Sequence, residues 1–287
     1  MTLLLEINLF YEKRYKLINF LLPILHHNIL YRKNMNRLGE IIHKLLKLIC
    51  YPFNIIGKNP YYRLSDLFYL NTFKIGDFEF VTPNSLTLYR SKTFFTKEKE
   101  TLEWIDGFEK NSIFLDIGAN VGLYSIYASK KKNCKVYSVE PSPLNLKALS
   151  RNIYLNKLSN SIFILPFALS DNKNSFSKFI ETSISDGGAL NSFGVDYDYR
   201  GSKILNNTTE FFTYGTTIDD FFENHLKKNF PNYIKIDVDG IEHLIIKGGS
   251  NIIQKYVSEI LVEVSESFKS QKQNIIKSLN EIGFEIV

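Results

Sequence analysis

Two short stretches gather the residue types that do chemistry. The first is FLDIGANVGLYSIYA, residues 114–128, in which an apolar run ends in Asp116 and the loop Gly118, Ala119, Asn120, Val121, Gly122 follows. The second is YIKIDVDGIEH, residues 233–243, in which Ile234 and Ile236 alternate with Lys235 and Asp237, and Asp239, Glu242 and His243 come next. Glycines between a strand and a helix let the backbone approach a ligand closely, and the helix start offers unpaired N–H groups. Three carboxylates with a lysine and a histidine at one strand end can align a small polar molecule and take its proton.

The spacing of the first stretch separates the ligands that use such loops. A dinucleotide site reads G-x-G-x-x-G and seats a pyrophosphate on the helix start, and a P-loop reads G-x-x-x-x-G-K-[ST]. Here the pattern is D-x-G-x-x-x-G, with Asn120 where the dinucleotide pattern has its second glycine. A carboxylate at Asp116 repels a pyrophosphate and suits a ligand bearing an ammonium group. S-adenosylmethionine carries an ammonium and a sulfonium, and no phosphate. The next apolar run, VYSVEP, ends in Glu140, 24 positions after Asp116, and is followed by Pro141 and Ser142. A carboxylate there can accept both hydroxyls of an adenosine ribose, a handle that NAD shares. A helix cap for Asp116 and a solvated strand end for Glu140 are the plain structural alternatives.

In the second stretch Asp237 is the first choice as the base for a hydroxyl acceptor. Lys235 or His243 can orient the acceptor or take the proton, and Glu242 can instead cap backbone N–H groups. Oxygen ligands suit magnesium or calcium, but Asp237-x-Asp239-Gly lacks the remaining ligands of a calcium loop, so no metal is expected.

These residues need a scaffold that brings strand ends together. From residue 113 onward strand and helix patterns alternate, with strands expected at 113–117, 135–139, 161–167, 232–237 and 259–265. Helices are expected at 122–131, 143–156, 241–248 and 268–282. The alternation predicts an α/β fold with a mostly parallel sheet and helices on both faces. Ligands of such sheets bind beyond the carboxyl ends of the strands, where Asp116, Glu140 and Asp237 all fall. Residues 72–82 read as a hairpin turning at Gly76-Asp77, and 96–108 as a helix with Leu102 and Ile105 inward. Further β signals lie at 174–180 and 210–214. The glycine-bearing SDGGALNSFG, 185–194, falls in a long polar insert of the kind that often binds substrate, with Tyr197 and Tyr199 nearby able to stack on a sugar.

The chain has 287 residues and a net charge of +5. Residues 1–50 carry eight Lys or Arg against three Glu, so the remainder is neutral and has no bias toward nucleic acid. Residues 1–60 read as a helical N-terminal arm and 61–287 as the main domain, with the boundary punctuated by Gly57 to Pro60. In the arm, IIHKLLKLI, 41–49, forms a basic amphipathic helix, which packs on its own domain or contacts a membrane surface or protein partner. The apolar run 17–25 is too short to span a bilayer. Two scattered cysteines, Cys50 and Cys134, predict a reducing, cytoplasmic setting, with membrane association through the arm.

The motifs FLDIGANVGLYSIYAS, VYSVEPSPLNLKALSRNIYLN, FALSD, TTIDDF and YIKIDVDGIEHLIIKGG occur in this order, preceded by TKEKETLEWID. In this the chain resembles the FkbM-type S-adenosylmethionine-dependent methyltransferases over roughly residues 72–287. The resemblance implies a class I methyltransferase fold, a Rossmann-like seven-stranded sheet whose last strand is antiparallel. FEIV, 284–287, supplies only the first strand of the closing hairpin, so the last antiparallel strand is expected to be missing. The resemblance also implies that Asp116, Gly118, Ala119, Asn120 and Gly122 surround the methionine part of the cofactor and that Glu140 holds the ribose beside Pro141 and Ser142. Phe167 and Ala168 would flank the adenine, with Asp171 nearby. The family commonly reads D-V-E-G with a histidine next; here Asp239 replaces the glutamate, Ile241 stands at the histidine position, and His243 follows Glu242. Members methylate hydroxyls of natural products, many of them in bacterial glycan loci, so a sugar or glycolipid hydroxyl is the expected acceptor. A non-catalytic cofactor-binding scaffold and an NAD-dependent oxidoreductase are the alternatives.

Overall fold

A computed structural model of the chain describes residues 38, 40–51, 71–204 and 209–285. The apolar run 17–25 and the expected boundary at Gly57 to Pro60 lie outside the described residues. Residues 71–285 form one compact unit. In the other unit a helix, α1, covers 40–50 and leaves Ile41, Ile42, Leu45 and Ile49 exposed. Among the described residues no helix is long and apolar enough to cross a membrane.

The compact unit opens with a hairpin, β1 (Thr72–Ile75) and β2 (Phe78–Val81), that turns at Gly76-Asp77. Helices α2 (Ser85–Lys92) and α3 (Lys99–Asp106) follow. Five strands then build a parallel sheet: β3 (Ile113–Ile117), β4 (Lys135–Val139), β5 (Ile162–Leu165), β10 (Tyr233–Ile236) and β11 (Glu259–Val262), in the order β11-β10-β3-β4-β5. Helix α4 (Leu123–Lys132) joins β3 to β4, and α5 (Pro143–Leu155) joins β4 to β5.

A second sheet of order β6-β9-β7-β8 fills the insert between β5 and β10. Its strands are β6 (Ala168–Leu169), β7 (Ser175–Glu181), β8 (Ser192–Phe193) and β9 (Thr209–Thr216). After β9 comes α6 (Ile218–Asp220), continued by a π-helical turn over Phe221–Leu226. Helices α7 (Glu242–Gly248) and α8 (Ser250–Tyr256) lie between β10 and β11, and α9 (Lys269–Glu281) follows β11. Residues 284–285 are not in a strand, and the rest of the expected FEIV strand lies outside the described residues.

Parallel strands covered on both faces read as near-continuous apolar runs, and β3, β4 and β10 are buried almost throughout. Their side chains alternate between two cores. Leu115, Ile117, Tyr137, Val139, Ile234 and Ile236 face one; Phe114, Val136 and Tyr233 face the other, with Ile126 and Leu149 from α4 and α5. The second face also carries a polar row. Lys235 is level with Asp116, and Asp116 with Ser138, across three adjacent strands. Ser125 of α4 closes the row, donating to Asp116 at 2.5 Å and lying 2.7 Å from the Ser138 hydroxyl.

The hairpin is clamped to α5 by two asparagines. Buried Asn152 accepts from Val81 N–H at 2.7 Å and donates to the Val121 carbonyl at 2.8 Å. Asn156 makes the same kind of pair with Glu79 N–H and carbonyl. Replacing Asn152 with alanine orphans two buried backbone groups at about 1–3 kcal/mol each. The expected result is a loss of about 3 kcal/mol in denaturant unfolding, with the cleft described below intact in the folded fraction.

Candidate functional site

The carboxyl ends of β3, β4 and β10 open on one cleft, lined by Gly118, Asn120, Glu140, Pro141, Asp237 and Asp239 among others. All six are residues singled out by the motifs, and Asn120 and Asp239 both hold left-handed backbones, with φ of 51° and 62°. Such strain in non-glycine residues clusters at functional sites. Ala119 and Gly122 pack behind the cleft rather than lining it. Gly122, at φ 84°, caps α4 and leaves no room for a Cβ beside Leu149.

The glycine loop works differently from the ligand-cradling loop its spacing suggests. Gly118 and Ala119 N–H groups both donate to the Val139 carbonyl at 3.0 Å. Gly118 is instead required because its α-carbon rests on the Asp237 backbone, where a Cβ would stand 1.9 Å from the carbonyl oxygen. The loop therefore ties the end of β3 to the end of β4 and packs closely on the end of β10.

Glu140 is buried and receives two backbone donors, Asn120 N–H at 2.8 Å and Ser142 N–H at 2.9 Å. Burial pushes its carboxyl up to about 7 against these hydrogen bonds. Ser142 also caps α5 and donates to Glu181. Asp116 is buried, and burial raises it as well, against the pull of Lys235 and Ser125. Its Oδ1 and the Asn120 Oδ1 are buried with no hydrogen-bond partner among the described residues. Unpaired buried acceptors of this kind are costly and match a donor such as an ammonium group.

Beside Asp116 on the neighbouring strand, Lys235 donates to Asp237 at 2.5 Å, its side chain 4 % exposed and that of Asp237 26 %. Burial works against both charges. For Asp237 the Lys235 ammonium outweighs it and holds the carboxyl down at about 2. Asp239 is pushed up to about 6 by burial and by the Asp237 charge, while it accepts from Leu190 N–H at 2.6 Å. Glu242 is not presented to the cleft. It accepts from Gly240 N–H at 3.1 Å and Val238 N–H at 3.3 Å, is held by Gln271, and shapes the turn after β10. His243 is also away from the cleft. Its charged neighbours are Asp171 and Lys247, burial pushes its imidazole down, and its Nδ1 has no partner among the described residues. Asp171 itself pairs with Lys247 at 2.8 Å.

The expected adenine wall is only partly in place. Ala168 lines the cleft, but the Phe167 ring packs on Phe221 and Tyr214. The aromatic side of the cleft comes from Phe179 and Phe193 of the second sheet, whose non-local pairing hid their position in the sequence. Loop 182–191 lies over the opening. Gly188 carbonyl accepts from Asn120 at 2.7 Å and from Asn145 at 3.1 Å, Gly187 N–H donates to Asn145, and Arg90 donates to the Gly187 carbonyl. Tyr197 packs edge-on against Phe268, and the Arg200 guanidinium lies over Tyr199. Glu263 escapes a motif search, yet it carries a signal as a polar residue immediately beyond an apolar run at the sheet edge. Asn145 lies within the second motif, in the first turn of α5, and is not singled out by it. Among the described residues no group of three or more His, Cys, Asp or Glu is set to hold a metal ion.

A parallel α/β sheet with its cleft at the strand ends, two buried carboxylates on neighbouring strands and no phosphate loop is the frame of a class I methyltransferase. Residues 116–286 match the model of the methyltransferase FkbM domain, and the chain belongs to the FkbM methyltransferase family. It is 26% identical over 207 residues to the methyltransferase sdnD of Sordaria araneosa, covering 63% of this chain and 77% of that protein. It is 26% identical over 156 residues to the hexuronic acid methyltransferase AglP of Haloferax volcanii, covering 54% of this chain and 57% of that one. A solved FkbM methyltransferase from Methylobacillus flagellatus shares 18% identity, 61% of this chain, 37% of its own and a TM-score of 0.38.

Proposed function

We propose that the chain is an S-adenosylmethionine-dependent O-methyltransferase acting on a hydroxyl of a sugar, glycolipid or related natural product. The observation that carries this reading is the gathering of carboxylates at the strand ends. Glu140 and Asp237 line the cleft at the ends of the two strands that flank β3, and Asp116 lies buried beside Lys235 with its Oδ1 unpaired among the described residues. Asp116 and Asn120 would receive the amino-acid end of the cofactor, Glu140 the ribose hydroxyls, and Phe179, Phe193 and Ala168 the adenine. When bound, the cofactor supplies a methyl group on a sulfonium whose carbon–sulfur bond breaks as the bond to the acceptor oxygen forms.

Asp237, ionised at neutral pH, is placed to accept a hydrogen bond from the acceptor hydroxyl and then its proton. Lys235 fixes that carboxylate, and Asp239 shapes the same side. The hexuronic acid named for AglP supports a sugar acceptor, and the exposed apolar face of α1, with Lys44 and Lys47 on the same helix, supports contact with a membrane surface or a protein. Titration calorimetry with S-adenosylhomocysteine tests the cofactor assignment. Saturable binding at one site per chain is expected, and heats no larger than dilution would end the reading.

A further inference from the structure

Methylation of a hydroxyl sheds one proton, and Lys235 occupies the inner side of the carboxylate that takes it. The outer side belongs to Glu263. Strands β10 and β11 run parallel with Ile236 level with Val262, so the next residues on each, Asp237 and Glu263, stand side by side at the sheet edge. Glu263 N–H donates to the Ile236 carbonyl at 3.0 Å, which continues the pairing and sets its carboxyl beside that of Asp237. Two carboxyl groups can share a hydrogen bond only if one keeps a proton. Glu263 is exposed, whereas Asp237 faces the cleft.

We propose that Glu263 is the exit for the acceptor's proton: the two carboxyl groups share one proton, and the pair passes the proton taken up at Asp237 out to solvent through Glu263. This rests on the reading of the site as an O-methyltransferase.

The charges around the pair favour this division. Lys235 from β10 and Lys97 from the segment before α3 hold Asp237 ionised; Asp116 from β3, Asp239 and Glu242 from the turn, and Glu98 add negative charge, and Tyr124 of α4 stands against Lys235. The Asp237 charge is the largest cause that lifts Glu263 to about 9. The lift is therefore conditional. Once Asp237 takes a proton from the acceptor oxygen, the main cause of the lift is gone, and Glu263 releases its own proton to water. The proton on Asp237 then crosses the hydrogen bond to Glu263. The acceptor has lost one proton, solvent has gained one, and the pair again holds one.

The full chain, labelled with ¹³C at glutamate and aspartate carboxyls, tests the pair without an acceptor. Glu263, assigned with Glu263→Gln, is expected to titrate well above the ordinary 4.5 and to return toward it in Asp237→Asn. An ordinary titration in the unmodified protein, or no change in Asp237→Asn, overturns the proposal. Binding of S-adenosylhomocysteine by both variants shows that they are folded. With a methyl glucuronide as probe acceptor, Glu263→Gln is expected to lower kcat about a hundredfold at unchanged KM, while Glu263→Asp recovers most of it; equal kcat in Glu263→Gln overturns the exit role. Failure of the unmodified protein to methylate the glucuronide counts against that acceptor alone, because the titration still passes or fails the pair.

Discussion

Gly118→Ala is expected to be the most damaging single-methyl change in the chain. The left-handed backbone, φ 80°, costs an alanine about 1–2 kcal/mol. The added Cβ would also stand 1.9 Å from the Asp237 carbonyl oxygen and 2.8 Å from its carbon. Backbone inside a sheet cannot swing aside as a side-chain tip can, so overpacking adds about 1–3 kcal/mol. A total of about 3 kcal/mol or more is expected in guanidinium unfolding. Folded Gly118→Ala should also fail in methyl transfer, because the relief must come from moving Asp237. Gly76 is the control. Its φ is 54° and nothing lies within 4 Å of an added Cβ, so Gly76→Ala should lose only about 1 kcal/mol. Equal losses at the two glycines would refute the packing argument.

Glu140→Ala is expected to remove cofactor binding, and to cost the fold about as much as Asn152→Ala because two backbone N–H groups lose their acceptor. The carboxylate gathers Asn120 and Ser142 N–H and so sets the distance between the first and second strand ends. Charged hydrogen bonds of this kind contribute about 1.5–3 kcal/mol each. Loss of the ribose acceptor should thus weaken S-adenosylhomocysteine about a hundredfold, since each 1.4 kcal/mol is about tenfold. The pH dependence has a defined sign. Burial lifts Glu140 to about 7, and only the ionised form accepts both hydroxyls, so affinity should fall as pH falls through about 7. Calorimetry from pH 5.5 to pH 8.5 measures it, and a flat profile would remove Glu140 from the ribose role.

The parallel core was legible because its strands are buried on both faces. Runs 113–117 and 135–139 stand in the structure with the limits their apolar pattern gives. The hairpin at Gly76-Asp77 was equally plain, since two-residue turns are set locally. Helix α8 was not, because Gly248 and Gly249 break the pattern and only Ile252 and Ile253 mark its buried side. The second sheet was legible only in part: the β signals at 174–180 and 210–214 stand as β7 and β9, but the pairing did not show. Its β6 has two residues and pairs in parallel with β9, more than 40 positions later; no local pattern carries such a partner. The family resemblance put the aromatic wall at Phe167, while the tertiary pairing brings Phe179 and Phe193 to the cleft. Glu263 was in plain view at a strand end, but it belongs to no motif. Its meaning depends on the register that sets it beside Asp237.

The loop over the cleft joins two territories through residues that are almost adjacent. Gly188 is fastened to Asn120 and Asn145 beside Glu140, while Leu190 is fastened to Asp239 beside the Lys235–Asp237 pair. Two residues of chain reach at most about 7 Å. The strap is too short to lift from the donor half and stay down on the acceptor half. On the function proposed above, the two halves of the cleft are expected to open together rather than in turn.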